Sequence, residues 1–192
     1  MIFRQVPAPA WFRAARSCCC LLALGVAVPA SATGLAPDRV AASVGYGDGT
    51  AVADIGVVWT NIAVWDVPSR SRTELRLTAD LASWQGEDHE TNKSLADLSV
   101  TPLLRWSPAD GPWRSLFVEG GVGIHLLSTT RIGTRDLSTA FQFGERLALG
   151  WSFDPANRIE IATYWQHVSN ADIKRPNAGL TQYGMMLRVP LD

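Results

Sequence analysis

An all-β fold, an eight-stranded antiparallel transmembrane β-barrel, is the fold class that this sequence of 192 residues predicts. Three observations lead to it. Apolar and polar residues alternate with a period of two in eight separate segments, which is the spacing of strands with two different faces. Many of these segments are about ten residues long, the length that a tilted strand needs to cross a bilayer. Charged residues share the polar parity, and a small polar barrel interior can pair such charges.

Residues 1–32 are expected to be a secretory signal peptide and not part of the fold. Arginines at 4, 13 and 16 form a positive n-region, residues 21–28 lie in a short apolar region, and Ala30-Ser31-Ala32 supplies the small residues of a cleavage site. The apolar run is shorter than the roughly 20 residues that a transmembrane helix needs. The barrel domain is therefore expected to comprise residues 33–192, without any of the three cysteines, which precede the cleavage site.

The first four predicted strands each carry apolar residues on one parity. They span residues 39–47, 51–60, 73–84 and 95–106. Representative apolar residues, in chain order, are Val44, Ile55, Leu81 and Leu98. In the third and fourth strands the opposite parity is polar and includes Arg76, Asp80 and Arg105. This pattern is typical of strands that separate an apolar from a polar environment.

The last four predicted strands continue the alternation over residues 115–127, 139–151, 158–169 and 181–191. Their apolar parity includes Val122, Leu147, Ile161 and Met185. Glu119, His125, Glu160 and Arg188 take the opposite parity. We expect His125 to be a hydrogen-bonded interior histidine, since polar groups away from water need partners. Polar loops separate the strands, including residues 129–137 and 170–179.

Two architectures fit eight such strands. One is a soluble sandwich or lipocalin-like barrel with its apolar face inward, and the other is an outer-membrane barrel with its apolar face outward. Tryptophans favour the second, because several fall at segment ends, where aromatic girdles occur in membrane barrels. These are Trp59, Trp84, Trp106 and Trp151. The terminal Leu191-Asp192 counts against it, since such barrels often end in an aromatic residue.

The charge and motif content excludes several other classes. The formal net charge is −1 at pH 7 with no basic stripe, so no nucleic-acid partner is expected. The sequence has no H-E-x-x-H, P-loop, G-x-G-x-x-G or G-x-S-x-G motif. We therefore expect neither a metal site nor another cofactor.

One pair of residues combines chemistry with an unusual position. His167 and Ser169 are two apart on the seventh strand, so they share one face at a Cα separation of about 6.6 Å. A neutral imidazole can take the serine proton and return it to a leaving group. The pair lies on the apolar, lipid-facing parity, where polar groups are costly without partners. With periplasmic termini the seventh strand ends at the cell surface, level with the leaflet that contains lipopolysaccharide.

Four segments of the chain together resemble a known family. They read QHVSNADIKRPNAGL, DLSVTPLLRW, FVEGGVGIHLLS and LSTAFQFGERLALGW. They are similar to the PagL-type outer-membrane lipid A 3-O-deacylases, most strongly over residues 97–179. The resemblance implies an eight-stranded barrel with its active site on the outer wall, facing the outer leaflet. It implies that Ser169 is the nucleophile at the position-3 ester of lipid A and that His167 is the general base. Asn170 and Asn177 would bind the oxyanion or the substrate.

The same resemblance implies no metal cofactor. It implies that the partners are lipopolysaccharide (lipid A) and outer-membrane lipids, and it leaves a homodimer open. Two positions depart from the family pattern. Thr181 stands where the family has an acid that orients the histidine, and threonine offers a hydroxyl acceptor but no negative charge. Asp172 stands where glycine is common, and its carboxylate would either replace the acid or oppose the oxyanion. A non-enzymatic barrel with a structural or surface-interaction role and a phospholipase-like esterase are the alternative functions.

Overall fold

The computed structural model describes residues 36–68, 70–87, 93–153 and 159–191. The expected signal peptide at 1–32 lies outside these ranges. Within these ranges the fold consists of eight long strands and one short hairpin. The strands are β1 (Arg39–Gly47), β2 (Thr50–Val67), β3 (Ser71–Gly86), β4 (Ser94–Pro108), β5 (Leu116–Leu127), β6 (Arg131–Ile132), β7 (Arg135–Asp136), β8 (Phe141–Ser152), β9 (Glu160–Ser169) and β10 (Leu180–Pro190). No helix in the described part of the chain is long and apolar enough to cross a membrane.

The eight long strands form a closed antiparallel barrel in which sequence neighbours pair and β10 returns to β1. The closing register joins Arg39 to Pro190 and Tyr46 to Tyr183. Closure removes the open sheet edges that a bilayer does not tolerate. The predicted eight-stranded antiparallel barrel is therefore confirmed. The short strands β6 and β7 form a separate hairpin within a segment that the sequence analysis treats as a polar loop.

The inside of the barrel is polar, as the alternation predicts. Glu160 lies at the centre of an ion-pair network, where Arg105 and Arg76 donate to it at 2.7 and 3.0 Å. Arg188 donates to both carboxylate oxygens of Glu119 at 2.8 Å. The predicted interior charges are all buried: Arg76, Asp80, Arg105, Glu119, Glu160 and Arg188. His125 is buried as expected, with Nδ1 2.8 Å from Asp97.

The outside of the barrel wall is apolar. Ile55, Leu147 and Met185 expose 63%, 57% and 57% of their surface. Exposed apolar area of this extent around a whole barrel needs a lipid environment. The lipocalin-like alternative, with its apolar face inward, is therefore wrong. The girdle assignment is also wrong for Trp84, which is 1% exposed and points inward, with Nε1 3.3 Å from Asp97.

The second strand is longer than predicted because a bulge interrupts its alternation. The β2–β3 register shifts between Trp59 and Ala63, and Asn61 adopts a left-handed φ of 55°. Even-numbered residues face inward up to Val58, and beyond the bulge the even-numbered Val64 pairs with the buried Glu74. Four residue steps along β2, from Trp59 to Ala63, match two steps along β3, so the bulge adds two residues, and the odd-numbered Trp65 and Val67 still face outward. A period-two pattern therefore ends at this point although the strand continues to Val67.

Buried apolar side chains fill the lumen at the end where β9 terminates and β10 begins. We refer to this group as the mouth cluster. Six of its members come from barrel strands and two from the segment that contains the β6–β7 hairpin. They are Val52, Trp84, Leu95, Leu127, Val168, Leu180, Ile132 and Leu137. The barrel is closed by side chains at this end, so chemistry near the end of β9 takes place on the outer wall.

Candidate active site

His167 and Ser169 lie near the end of β9 on the outer wall of the barrel. The neighbouring residues Gln166 and Val168 are buried and point inward, whereas His167 and Ser169 are half-buried on the opposite parity. Arg39 and Pro190, at the ends of the first and last strands, lie at the other end of the barrel. The two longest connections, β5–β8 and β9–β10, lie at the His167 end, as is typical of the extracellular side of outer-membrane barrels.

The imidazole of His167 is held by Thr181, its direct cross-strand neighbour on β10. Nδ1 of His167 and Oγ1 of Thr181 are 2.9 Å apart. When Nδ1 carries the ring proton, it donates to the hydroxyl oxygen and leaves the lone pair of Nε2 free to accept a proton. Trp165 stacks beside the imidazole with ring planes at 10° and centroids 6.4 Å apart. The ring orientation therefore suits a general base.

Gly179 closes the other flank of the imidazole. A methyl group at Gly179 would lie 2.8 Å from Cε1 and 3.3 Å from Nε2 of His167. Its φ of 61° is also in the left-handed region, which glycine adopts without strain. Both the conformation and the close approach to His167 therefore require glycine at this position.

Asn170 stabilises the β9–β10 loop from inside it. Its side chain is fully buried, and Nδ2 donates to the carbonyls of Leu137 and Lys174 at 3.0 and 2.8 Å. Its backbone N–H donates to Oδ1 of Asn177 at 3.2 Å. The carboxamide hydrogens of Asn170 are thus used within the protein, whereas Nδ2 of Asn177 has one long contact, 3.5 Å, to Asp172.

Asp172 lies in the same loop but does not hold His167. Its carboxylate is 3.6 Å from Nη2 of Arg175 and accepts the long contact from Asn177. Its φ is 62°, and the preceding Ala171 has a φ of 53°. Left-handed backbone costs a non-glycine residue about 1–2 kcal/mol. This explains physically why glycine would suit position 172.

Glu145 lies beside His167 on the outer wall, a neighbour that the sequence pattern did not predict. It lies on β8 directly opposite His167 in the β8–β9 register, and it is half-buried on the outer wall. Directly opposed Cβ atoms are about 4.5–5.5 Å apart. The sequence does contain a sign of this position, because Glu145 interrupts the apolar series on the outward parity of the sixth predicted strand. A carboxylate on a lipid-facing wall is costly and so indicates function.

Comparison with known proteins gives matches over most of the chain. The family model described as lipid A 3-O-deacylase (PagL) matches residues 50–190. The lipid A deacylase PagL of Pseudomonas aeruginosa is 29% identical over 137 residues, which are 71% of this chain and 76% of that protein. The lipid A deacylase PagL of Bordetella bronchiseptica is 32% identical over 108 residues, 55% of this chain and 57% of that protein.

A solved structure extends the comparison to three dimensions. The crystal structure of the outer membrane enzyme PagL has a TM-score of 0.71 and 27% sequence identity. The match covers 80% of this chain and 99% of that chain. The segment matched by the family model runs from β2 to β10 and so includes His167, Ser169 and Thr181.

Proposed function

The chain belongs to the lipid A 3-O-deacylase (PagL) family, and from that premise we propose that Ser169 is its nucleophile and His167 its general base. The chain is a lipid A deacylase, an ester hydrolase that is an integral barrel of the outer membrane. Its substrate is lipid A. The observation that supports the serine mechanism most directly is the 2.9 Å contact from His167 to Thr181, which leaves Nε2 free on the strand face that also carries Ser169.

The proposed reaction passes through an acyl-serine intermediate. Oγ of Ser169 attacks the carbonyl carbon of the position-3 ester while Nε2 of His167 takes the hydroxyl proton. The tetrahedral intermediate collapses, the sugar 3-oxygen leaves, and His167 returns the proton to it. Water then attacks the acyl-serine with His167 again as base, which releases the fatty acid and restores Ser169.

The lipid-facing position of the pair suits a substrate that is itself part of the bilayer. The site lies near the end of the barrel opposite Arg39 and Pro190. Periplasmic termini place that end in the outer leaflet. Lipid A then reaches Ser169 by lateral diffusion, and its acyl chains remain against the apolar wall. A soluble ester would have no comparable path, since the pair does not open into the lumen.

We assign different tasks to the two asparagines. Nδ2 of Asn177 is the donor that we propose for the oxyanion, since its contact to Asp172 is long and exchangeable. Asn170 would act indirectly, because its backbone N–H orients the Asn177 side chain while its carboxamide holds the loop. This division follows from which hydrogens remain available to a substrate.

No carboxylate contacts Nδ1 of His167 among the described residues, so Thr181 alone fixes the ring there. We propose that Thr181 orients the imidazole and that Glu145, its neighbour on the opposite side, compensates the imidazolium charge. The contacts of Asp172 with Arg175 and Asn177 favour a role in the loop over a role as the acid.

The proposed mechanism is tested by mass spectrometry of lipid A from cells that express the chain. Wild type should remove the 3-linked acyl chain, and Ser169→Ala and His167→Ala should each leave it in place. Thr163→Ala is the matched control, since its outward hydroxyl lies on the same strand and only approaches the Leu149 carbonyl, at 3.5 Å. Full activity of Ser169→Ala would refute the serine mechanism.

Two further predictions accompany this function. We propose that residues 1–32 are removed on export, which N-terminal sequencing of the purified protein checks.

A homodimer stays a prediction. Light scattering, which gives the molecular mass of the protein in detergent, checks it.

A further inference from the structure

We propose that Arg135 and Asp48 form a charged clamp whose task is to position His167. The proposal rests on the proposed function of His167 and deepens it. Nη2 of Arg135 and Oδ1 of Asp48 are 3.0 Å apart. About one third of each side chain is exposed, 30% for Arg135 and 32% for Asp48. The two residues come from separate connections, the β6–β7 hairpin and the β1–β2 turn, at the His167 end of the barrel.

Arg135 fixes the loop on one flank of the imidazole. Nη1 donates to the carbonyls of Gly179 and Ala178 at 3.1 and 3.3 Å. Gly179 is the residue whose backbone lies against the ring of His167. The guanidinium group therefore helps to set how closely this segment approaches Nε2, together with the hydrogen bond from the Ala178 N–H to the Asp136 carbonyl.

Asp48 fixes the other flank. Oδ2 accepts the backbone N–H of Thr181 at 2.8 Å. The Thr181 hydroxyl in turn meets Nδ1 of His167 at 2.9 Å. Two hydrogen bonds thus connect the Asp48 carboxylate to the imidazole. Arg135 also holds Asp48 through its backbone, since Nε donates to the Asp48 carbonyl at 3.2 Å.

The conformation of the β1–β2 turn fixes the position of Asp48. Asp48 and Gly49 form the two-residue β1–β2 turn with φ values of 52° and 71°. Asp-Gly is favoured where both central residues of a hairpin turn have positive φ. The carboxylate therefore projects from a rigid turn, and the clamp joins this turn to the β6–β7 hairpin and to the β9–β10 loop.

The need for such a clamp follows from Thr181. A neutral hydroxyl makes a weaker hydrogen bond to a histidine than a carboxylate does, because charge-assisted bonds are roughly twice as strong. With Thr181 at this position, the ring needs external restraint to remain in register with Ser169. The clamp restrains both segments that contact the ring, so Arg135 and Asp48 act as positioning residues.

The test compares two arginines of the same hairpin. Arg131 pairs with Asp136 at 3.1 Å, is 63% exposed, and makes none of the described contacts with the β9–β10 loop. The full-length chain is refolded in detergent, and fatty-acid release from lipopolysaccharide is measured. Arg135→Ala should lower kcat about 10–100-fold with KM within about twofold, since small misplacement of a catalytic group has effects of this size. Arg131→Ala should leave both constants at the wild-type values.

Two additional variants and a chemical rescue complete the experiment. Arg135→Lys keeps the positive charge but loses the planar set of N–H donors of the guanidinium group. Its kcat should therefore lie between those of Arg135→Ala and wild type. Asp48→Asn keeps the turn and an acceptor for Thr181 but loses the ion pair, and should also be intermediate. Added guanidinium ion should restore part of the kcat of Arg135→Ala. Heat-modifiable gel mobility identifies any variant that has not folded.

The outcomes separate the clamp from the serine mechanism. A wild-type kcat for folded Arg135→Ala, or for Arg135→Lys if Arg135→Ala does not fold, would overturn the clamp whatever Ser169 does. Equal losses for Arg131→Ala and Arg135→Ala would overturn it as well. Activity in Ser169→Ala would refute the nucleophile, whereas a low kcat in Arg135→Ala that guanidinium restores would still support the clamp.

Discussion

Thr181 places its hydroxyl oxygen 2.9 Å from Nδ1 of His167, at the directly opposed position of the β9–β10 register. The contact joins two outward-facing residues of neighbouring strands, so the backbone ladder sets its geometry. A hydroxyl at this place orients the imidazole but contributes no charge. The first two predictions follow from this difference.

Thr181→Val should lower kcat about 10-fold while leaving the barrel folded. Valine keeps the shape of threonine but removes the acceptor, and the loss of one orienting hydrogen bond to a catalytic group is worth about 1–1.5 kcal/mol. Fatty-acid release from lipopolysaccharide measures kcat and KM, and KM should be unchanged. A wild-type kcat would show that the ring is held by other contacts.

Thr181→Glu should raise turnover above wild type. A carboxylate at this position would accept from Nδ1 and stabilise the imidazolium that forms when Ser169 attacks. Single-turnover release of fatty acid is the measurement. Should this variant be slower while Asp172→Asn is inactive, Asp172 would become the better candidate for the acid.

Asp172→Asn should retain at least the wild-type turnover. Asparagine tolerates the left-handed φ of 62° and removes the negative charge near the proposed oxyanion site. The same lipid A mass spectra measure the fraction of molecules that lose the acyl chain. A loss of about 10⁴-fold, the scale seen when the acid of a serine triad is replaced by its amide, would instead assign that role to Asp172.

Gly179→Ala should abolish deacylation in a barrel that still folds. The new methyl group would lie 2.8 Å from Cε1 of His167, so the ring must leave its position. Gly111→Ala is the control, because Gly111 also has a positive φ, 81°, but no atoms within 4 Å of its Cβ position. Gel mobility should show both variants folded, and equal activity in the two would contradict the proposed ring position.

Glu145→Gln should lower kcat several-fold with little change in KM. The amide keeps the shape of the side chain but removes the charge that faces His167 across the β8–β9 register. An attraction between two partly exposed opposite charges is worth about 1 kcal/mol or less, which corresponds to a change of up to about fivefold. An unchanged kcat would mean that Glu145 does not compensate the imidazolium.

The sequence was sufficient for the barrel because alternation is a local property. The first predicted strand, 39–47, coincides with β1 at both ends. The outward parity of His167 and Ser169 followed from the same count. Trp84 was misassigned from its place at the end of a segment, although its even number gives it the inward parity of Arg76 and Asp80. The bulge between Trp59 and Ala63 hid the rest of β2, since its two extra residues interrupt the alternation there.

The environment of His167 was less accessible from sequence because it depends on barrel closure. Thr181 was found at the place of the family's acid, but Glu145 comes from β8 and Arg135 from a hairpin 44 residues before Gly179. The internal use of the Asn170 carboxamide depends on a carbonyl at Leu137, 33 residues away. Spacing along the chain does not encode such contacts.

The mouth cluster has a consequence for the cell that contains this protein. Apolar side chains occupy the lumen at one end and ion pairs occupy its middle, so we expect the barrel not to conduct hydrophilic solutes. Overproduction should therefore leave the permeability of the outer membrane to hydrophilic antibiotics and dyes unchanged. The envelope can remodel its surface lipid through this protein without becoming leaky.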